Sequence, residues 1–295
     1  MKTEKRIIHA NGVYPALHTE SGFVPYANLE IAERDLLVKT SYKKGDRYYL
    51  QININKSIPG SMVRSYSEYQ AVKADLLERI EASEMQTSRV DLSFNWNSPE
   101  HYEEFKKLHK LLICCVAEST GARNCYQAFD LWTDRSLSVA VKTDRFEIEN
   151  YHKALEAKET SETKNRLELR SKRVTGSIET EFKEIWFNRL DRAIDSFEAV
   201  QQHYNSELIR IWSEDIQKPP KDRDFISITA FILRYKNCIF SRKQLQSFLE
   251  QIGVKNPENR AKKIKEKHRI EFFSLTDLRN VVKTIKIETM KYFNS

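Results

Sequence analysis

The segment Ser88-Arg-Val-Asp-Leu-Ser-Phe-Asn-Trp96 decides the fold. Its apolar and polar residues alternate, which is the two-residue period of a β-strand. The apolar positions are Val90, Leu92, Phe94 and Trp96. The polar positions 89, 91, 93 and 95 share the opposite side. The segment therefore predicts a strand with one apolar face and one polar face.

Two further strands are predicted downstream, and helical patterns separate them from the first. Arg145–Tyr151 alternates after a turn at Thr143 and Asp144, and Lys164–Ser171 alternates again. A helix beginning at Ser98 precedes them, with an apolar residue every three or four positions. Strands joined by hairpins and mixed with helices favour an α+β fold with a largely antiparallel sheet.

The whole chain divides into four predicted regions along its 295 residues. We expect an irregular N-terminal arm (1–34), an α+β domain (35–175), an all-helical connector (176–215) and a C-terminal winged helix-turn-helix (225–295). The boundary before the last region is the Pro-rich and charged segment 217–224.

The C-terminal region has the outline of a winged helix-turn-helix. Ser241 is expected to cap one helix that stops at Gly253, and Asn256-Pro257 to begin a second helix. Residues 270–273 are expected to form a short wing strand. The predicted DNA-binding cations of the second helix are Arg260, Lys262, Lys263, Lys265 and Lys267. The alternative is a helical bundle with a solvated basic face.

Charge is distributed unevenly between the C-terminal region and the rest of the chain. Residues 216–295 contain 18 Lys and Arg against 8 Asp and Glu, a net charge of +10, whereas residues 1–215 have a net charge of −3. A basic lobe on a near-neutral body indicates a polyanionic partner. A merely basic soluble surface is the alternative.

Several other classes of protein are disfavoured by motifs that the sequence lacks. There is no phosphate-binding GxxxxGK[ST], no GxGxxG and no HExxH, and no two histidines stand one residue apart. The four cysteines form no CxxC pair and predict reduced core thiols. The longest apolar run, Leu111–Ala117, is too short to span a bilayer, and no signal peptide is recognisable. We therefore expect a cytoplasmic protein without a membrane partner.

Polar faces of the three predicted strands contain the residues suited to chemistry on DNA. Asp91 and Glu168 are predicted to hold Mg²⁺ or Mn²⁺, which prefer hard oxygen ligands. Tyr151 is a possible nucleophile, with His152 or Glu147 as its base. Arg166 and Arg170 flank Glu168 and are expected to contact DNA. The alternative is that Asp91 and Glu168 only pair with Arg89, Arg166 or Arg170 on a solvated face. If the three strands are neighbours, these groups converge on one surface.

Three segments together resemble the rolling-circle replication initiators of Gram-positive plasmids, the Rep_trans group. These segments are Arg89-Val-Asp-Leu-Ser-Phe-Asn95, Asp144-Arg-Phe-Glu-Ile-Glu-Asn-Tyr-His-Lys-Ala-Leu-Glu156 and Arg166-Leu-Glu-Leu-Arg170. The likeness to the gene II initiators of filamentous phages is looser. By this resemblance Tyr151 matches the nucleophilic tyrosine, Lys153 its partner lysine, and Asp91 and Glu168 the acidic strand positions.

The resemblance implies a plasmid or phage-like initiator that binds an origin duplex and nicks one strand. Tyr151 would become joined to the 5′-phosphate, with no nucleotide cofactor. A homodimer and a recruited helicase are also implied. Two alternatives stay open, namely a non-enzymatic DNA-binding initiator or repressor and the relaxase of a conjugative element. His152 stands where asparagine or aspartate is usual, and Asn95 replaces a frequent aspartate.

Overall fold

The computed structural model describes residues 13–25, 38–44, 47–53, 65–79, 86–96, 101–122, 138–152 and 165–295. Its strands are β1 Val13–Pro25, β2 Val38–Lys44, β3 Arg47–Asn53, β4 Gln86–Trp96, β5 Ser138–Lys142, β6 Phe146–His152 and β7 Asn165–Ser171. Its α-helices are α1 Tyr66–Arg79, α2 Tyr102–Thr120, α3 Ile178–Thr180, α4 Phe187–Asp195, α5 Phe197–Gln217, α6 Ile228–Arg234, α7 Arg242–Gln251, α8 Pro257–His268 and α9 Leu275–Phe293. A π-helical stretch, Glu181–Trp186, joins α3 to α4.

The chain forms two compact units, and both are discontinuous in sequence. The first comprises Met1–Pro99, Lys142–Asn188 and Val282–Ser295, and the second comprises Glu100–Val141 and Arg189–Val281. The last residues of the chain thus group with the first unit. The predicted regions 35–175, 176–215 and 225–295 stay predictions.

One sheet contains all seven strands, in the order β2-β3-β1-β4-β7-β6-β5. The pairings of β1 with β3 and β4, of β2 with β3, and of β7 with β4 and β6 are all antiparallel. The predicted mixture of helices with an antiparallel sheet is confirmed. Because β4, β7 and β6 are consecutive in this order, the three strands with the predicted chemical residues are neighbours.

The prediction of an irregular arm over residues 1–34 is wrong for Val13–Pro25, which form β1 inside the sheet. Two prolines and a glycine in this segment hide its strand character. Pro15 precedes a register shift at Ala16. Pro15 and Leu17, two residues apart in β1, pair with the consecutive residues Leu92 and Asp91 of β4. Such bulges are places where a strand tolerates proline.

The apolar face of the sheet in the first unit is buried as the alternation predicts. Its fully buried residues include Leu92, Phe94, Leu167 and Ile148. The π-helical stretch brings Glu181 and Trp186 to the same side, where Ser171 Oγ donates to Glu181 Oε1 at 2.6 Å. Trp186 Nε1 in turn donates to Ser171 Oγ at 2.8 Å. These bonds satisfy polar atoms that burial would otherwise penalise.

Aromatic rings attach the end of the chain to this first unit. The ring of Phe293 lies 4.9 Å from that of Tyr66 and 6.3 Å from that of Phe182. Tyr66 also stacks on Tyr69, which is fully buried. The end of α9 therefore belongs to the packing of α1 and the π-helical stretch.

Described helices of the second unit pack around an apolar cluster. The cluster comprises Leu208, Phe231, Ile232, Ile239, Leu245, Phe248, Leu249, Ala261, Ile264 and Ile270. It is built from α5, α6, α7 and α8, and α2 also contacts α5, with Cys114 Sγ 3.2 Å from the Tyr204 hydroxyl. None of the helices in the described parts of the chain could cross a bilayer.

The predicted boundaries of α7 and α8 are confirmed. The Ser241 hydroxyl accepts a hydrogen bond from the Gln244 amide at 3.0 Å and so caps α7. Gly253 follows α7 at φ +76°, and Asn256 precedes α8 at φ +51°. The predicted wing strand at 270–273 is wrong, because this described segment has no strand. Instead, the Phe273 amide makes one hydrogen bond to the Phe240 carbonyl.

Candidate active site and candidate nucleic-acid interface

The side of β4, β7 and β6 opposite their apolar residues forms one continuous polar face. Cross-strand pairing places Asp91 opposite Arg170, Ser93 opposite Glu168 and Asn95 opposite Arg166. On the other side of β7, Glu147 lies opposite Arg170, Glu149 opposite Glu168 and Tyr151 opposite Arg166. Directly paired residues project to the same side of a sheet. We call these nine residues the polar face, and they include five of the predicted site residues, namely Asp91, Tyr151, Arg166, Glu168 and Arg170.

Burial distinguishes the polar face from an ordinary solvated surface. Asp91, Glu147 and Glu168 are 3 to 4% exposed, and Tyr151 is 9% exposed. Charges this deeply buried require partners, since unpaired burial of an ion is very costly. The Tyr151 hydroxyl accordingly bonds to a carboxylate of the protein in the described conformation.

Asp91 is fully engaged by an arginine on its own strand. Arg89 Nε donates to Asp91 Oδ1 at 3.0 Å, and Arg89 Nη2 donates to Oδ2 at 2.8 Å. Residues 89 and 91 share a side because side chains alternate along a strand. Burial raises the pKa of Asp91 above its usual value, and the bonds from Arg89 oppose this only in part.

Arg170 is the centre of the polar face, because its guanidinium reaches carboxylates from three strands. Nη1 lies 2.5 Å from Glu147 Oε1 and 2.7 Å from Glu149 Oε2. Nε donates to Glu168 Oε2 at 2.9 Å and lies 3.6 Å from Asp91 Oδ2. Burial would lower the pKa of Arg170, but these carboxylates, first of all Glu168, raise it above its usual value.

Glu147 shows the same pattern of an acid surrounded by cations. Lys172 Nζ lies 2.9 Å from Oε2 and Lys142 Nζ lies 3.1 Å from Oε1. Burial alone would raise the pKa of Glu147, but Lys172, Lys142 and Arg170 hold it below its usual range. Glu147 is thus occupied by cations.

Tyr151 and Glu168 are joined directly. The Tyr151 hydroxyl donates to Glu168 Oε1 at 2.5 Å. Burial, followed by the negative charge of Glu168, raises the pKa of Tyr151 well above its usual value. The phenol is consequently held as a neutral hydrogen-bond donor. Arg166 Nη1 lies 3.6 Å from the same Glu168 oxygen, and Arg166 Nε donates to Asn95 Oδ1 at 2.8 Å.

Protein side chains occupy both predicted metal ligands in the described arrangement. Asp91 and Glu168 lie on adjacent strands and on one side of the sheet, as predicted. Both oxygens of Asp91 accept from Arg89, and both oxygens of Glu168 are engaged by Tyr151 and Arg170. Within the described residues, no three His, Cys, Asp or Glu side chains are grouped as metal ligands.

Arg89 and Arg170 are internal partners of carboxylates, which is the alternative that the sequence left open beside a metal site. Residue spacing offered a signal for Arg89, because positions 89 and 91 share one side of a strand. The role of Arg170 depends on strand order, which alternation alone does not specify. Lys153, the predicted partner of Tyr151, lies outside the described residues.

The second candidate site is the exposed side of α8. Its five predicted cations, Arg260, Lys262, Lys263, Lys265 and Lys267, are all exposed, while Ala261 and Ile264 face the core. Lys262, Lys263 and Lys267 form no ion pair with any described residue. Lys265 Nζ lies 5.6 Å from the centre of the Phe272 ring, and Arg260 Nη2 donates to Thr229 Oγ1 at 3.3 Å.

The arrangement around α8 is that of two packed helices joined by a short turn. Residues 252–256 connect α7 to α8, and Phe248 and Ile264 share the apolar cluster below them. Arg242 on α7 pairs with Glu258 at the start of α8, at 3.4 Å. The apolar side is thus used for packing, and the cationic side is left facing outward.

Comparisons with known proteins find neither a family model nor a curated protein that matches this chain.

Proposed function

We propose that the chain is a DNA replication initiator of a plasmid or phage-like element that binds duplex DNA and nicks one strand through Tyr151. The observation that supports this most is the polar face itself. A tyrosine hydroxyl, a directly bonded carboxylate and two arginines meet on three neighbouring strands. The described parts of the three segments that suggested the resemblance include β4, β6 and β7 residues, and these strands are neighbours in the sheet.

The proposed reaction is a transfer of a phosphoryl ester from DNA to the tyrosine. The Tyr151 oxygen attacks a backbone phosphorus, the bond from phosphorus to the 3′-oxygen breaks, and a covalent 5′-phosphotyrosine remains. Arg166 lies opposite Tyr151 on the neighbouring strand and supplies positive charge where charge develops on the phosphate. Arg170 stays a proposed contact to DNA. The free 3′-hydroxyl would prime a polymerase, and reversal of the step would rejoin the strand.

Duplex recognition is assigned to α8 of the second unit, as the DNA-facing helix of a helix-turn-helix type of domain. Support comes from the five outward cations of α8 and from the net charge of +10 over residues 216–295, most of which belong to the second unit. A cationic helix can lie in the major groove while its flanking lysines contact phosphates. The proposed partners are DNA, a second copy of the chain and a helicase, and the proposed location is the cytoplasm.

A requirement for Mg²⁺ or Mn²⁺ remains part of the proposal, with Asp91 and Glu168 as the expected ligands. Such an ion would supply Lewis-acid stabilisation of the phosphate charge. In the described arrangement arginines occupy both carboxylates, so an ion would have to displace these arginines to bind. Activity with and without a chelator measures this requirement.

A selection experiment tests nicking without knowledge of the origin. The full chain is incubated with a random single-stranded DNA library and Mn²⁺, and adducts that survive detergent are recovered and sequenced. The proposal expects adducts enriched in one sequence and attached at Tyr151, identified by mass spectrometry of the tryptic peptides. Absence of any adduct, or attachment at another residue, contradicts it.

One observation favours a second function, that of a non-enzymatic DNA-binding initiator or repressor. All four carboxylates of the polar face have cationic partners, which also suits a purely structural network. This alternative expects duplex binding without covalent attachment. A relaxase of a conjugative element would form the same adduct, and it differs in the DNA sequence recovered from the library.

A further inference from the structure

We propose that Glu168 is the general base for Tyr151, taking the phenol proton as the tyrosine attacks DNA. This inference rests on the proposed nicking function and gives Glu168 a role other than metal binding. It starts from the contact of 2.5 Å between the Tyr151 hydroxyl and Glu168 Oε1. A base must lie within hydrogen-bond reach of the proton that it removes, and this one already holds it.

The other acids of the polar face are committed elsewhere. Asp91 accepts from Arg89 with both of its oxygens. Glu147 is held by Lys142 and Lys172 and by Arg170. Glu149 Oε2 lies 2.7 Å from Arg170 Nη1. None of these three acids has a described hydrogen bond to Tyr151, so geometry selects Glu168 among the carboxylates of the polar face.

The two oxygens of Glu168 have separate partners, and this fixes the direction of proton transfer. Oε2 accepts from Arg170 Nε at 2.9 Å and also from Arg170 Nη2. Oε1 therefore turns toward the phenol. Arg170 is itself held by Glu147 and Glu149, so we assign it as the positioning residue for the base.

In the proposed attack on DNA, the hydroxyl proton of Tyr151 moves to Glu168 Oε1 while the phenol oxygen bonds to phosphorus. The bond between phosphorus and the 3′-oxygen breaks, and that oxygen takes a proton from water. Rejoining runs in reverse, and the protonated Glu168 then returns its proton to the departing phenol oxygen.

The experiment compares Glu168→Gln with the matched control Glu149→Gln on an oligonucleotide recovered with the wild-type protein. Both variants remove one carboxylate charge beside Arg170, but only Glu168 contacts Tyr151. Loss of a general base is expected to slow adduct formation by about 100-fold or more. Glu149→Gln is expected to lose far less. Thermal unfolding of each variant verifies its fold.

A second measurement separates a base from a metal ligand. Fluorotyrosine at position 151 has a more acidic phenol and depends less on a base, so it should recover part of the rate lost in Glu168→Gln. A loss that excess Mn²⁺ restores would instead identify a metal ligand and overturn the inference. A wild-type rate in Glu168→Gln overturns it too, while the nicking function survives. If the wild-type protein forms no adduct, both proposals fail.

Discussion

The polar face and the outer side of α8 use positive charge in opposite ways. Arg170 of the polar face, and Arg89 on the same side of β4, are bonded to buried carboxylates within the protein. On α8, Lys262 and Lys263 project outward without an ion pair to any described residue. Cations of the first kind neutralise internal charge, whereas those of the second kind remain available for an external polyanion.

The proposed function requires both affinity for DNA and precise positioning of the reacting groups, and the two regions supply these separately. An exposed cationic helix gives affinity for phosphates that depends on salt and little on sequence. A buried network of arginines and carboxylates contributes little affinity for DNA, but it fixes the positions of its own side chains. In the polar face, the group that it fixes is Glu168, bonded to Tyr151. Net charge therefore helps to locate the DNA-binding side of α8, but it does not help to locate the polar face.

The largest expected effect belongs to Tyr151→Phe. It removes the nucleophile, so we expect adduct formation to fall by at least about 1000-fold. Duplex binding through α8 should stay at the wild-type level, measured by fluorescence anisotropy. The matched control is Tyr69→Phe, which also deletes a buried hydroxyl, the one 3.2 Å from Thr87 Oγ1, yet should keep the adduct rate. An adduct in Tyr151→Phe at the wild-type rate would refute the site.

Arg170→Met should have the next largest effect, and it acts on stability. The substitution leaves Glu147, Glu149 and Glu168 without their shared cation. Removing one partner of a buried ion pair costs about 3–5 kcal/mol. Lys263→Met on α8 removes an exposed cation and should change stability by about 0.5 kcal/mol or less. Urea denaturation measures the free energy of unfolding of both variants. Equal losses of stability would contradict the distinction between the polar face and α8.

Reversing the charge of Lys262 and Lys263 to Glu should weaken duplex binding while leaving stability unchanged. We expect about a 10- to 100-fold loss of affinity and a salt dependence reduced by about two phosphate contacts. The control reverses two other exposed lysines, Lys221 and Lys283, which lie outside α8. Equal losses in both double variants would show that net charge, and not α8, determines binding.

The sequence predicted the polar face well because strand alternation assigns each residue to a side. Asp91, Glu168 and Tyr151 are on one side of neighbouring strands, as alternation and the resemblance required. Side assignment does not reveal which charges pair. The occupation of Asp91 by Arg89 and the direct bond from Tyr151 to Glu168 depend on side-chain geometry across strands.

Predictions of backbone structure failed where local signals were misleading. β1 contains prolines that suggested an irregular arm, and pairing on both sides overrides that preference. The caps of α7 and α8 were predictable because Ser241, Gly253 and Asn256-Pro257 act locally. Lys107 was not predictable, since its partners lie more than 100 residues away in sequence.

Lys107 provides the smallest expected effect and a third use of positive charge, a buried cation bonded to neutral groups. Its Nζ donates to the carbonyls of Lys236 and Glu271 at 2.9 and 2.8 Å. Burial lowers the pKa of Lys107 to about 7, and that of Lys110 to about 8. Unlike Arg170, Lys107 has no carboxylate within hydrogen-bond distance among the described residues that would hold its charge.

The sign of the resulting pH dependence follows from proton binding. Between pH 7 and about 10, the unfolded chain keeps the Lys107 proton while the folded protein loses it, so the free energy of unfolding rises with pH. Lys107→Met should remove this contribution and lower the slope by about 1 kcal/mol per pH unit. Lys283→Met, at an exposed lysine, should leave the slope unchanged.

Because buried cysteines and tyrosines titrate in the same range with the opposite sign, the informative quantity is the difference in slope between each variant and the wild-type protein. Urea denaturation at closely spaced pH values supplies that difference, and parallel curves for Lys107→Met and wild type would show that Lys107 stays protonated in the folded protein.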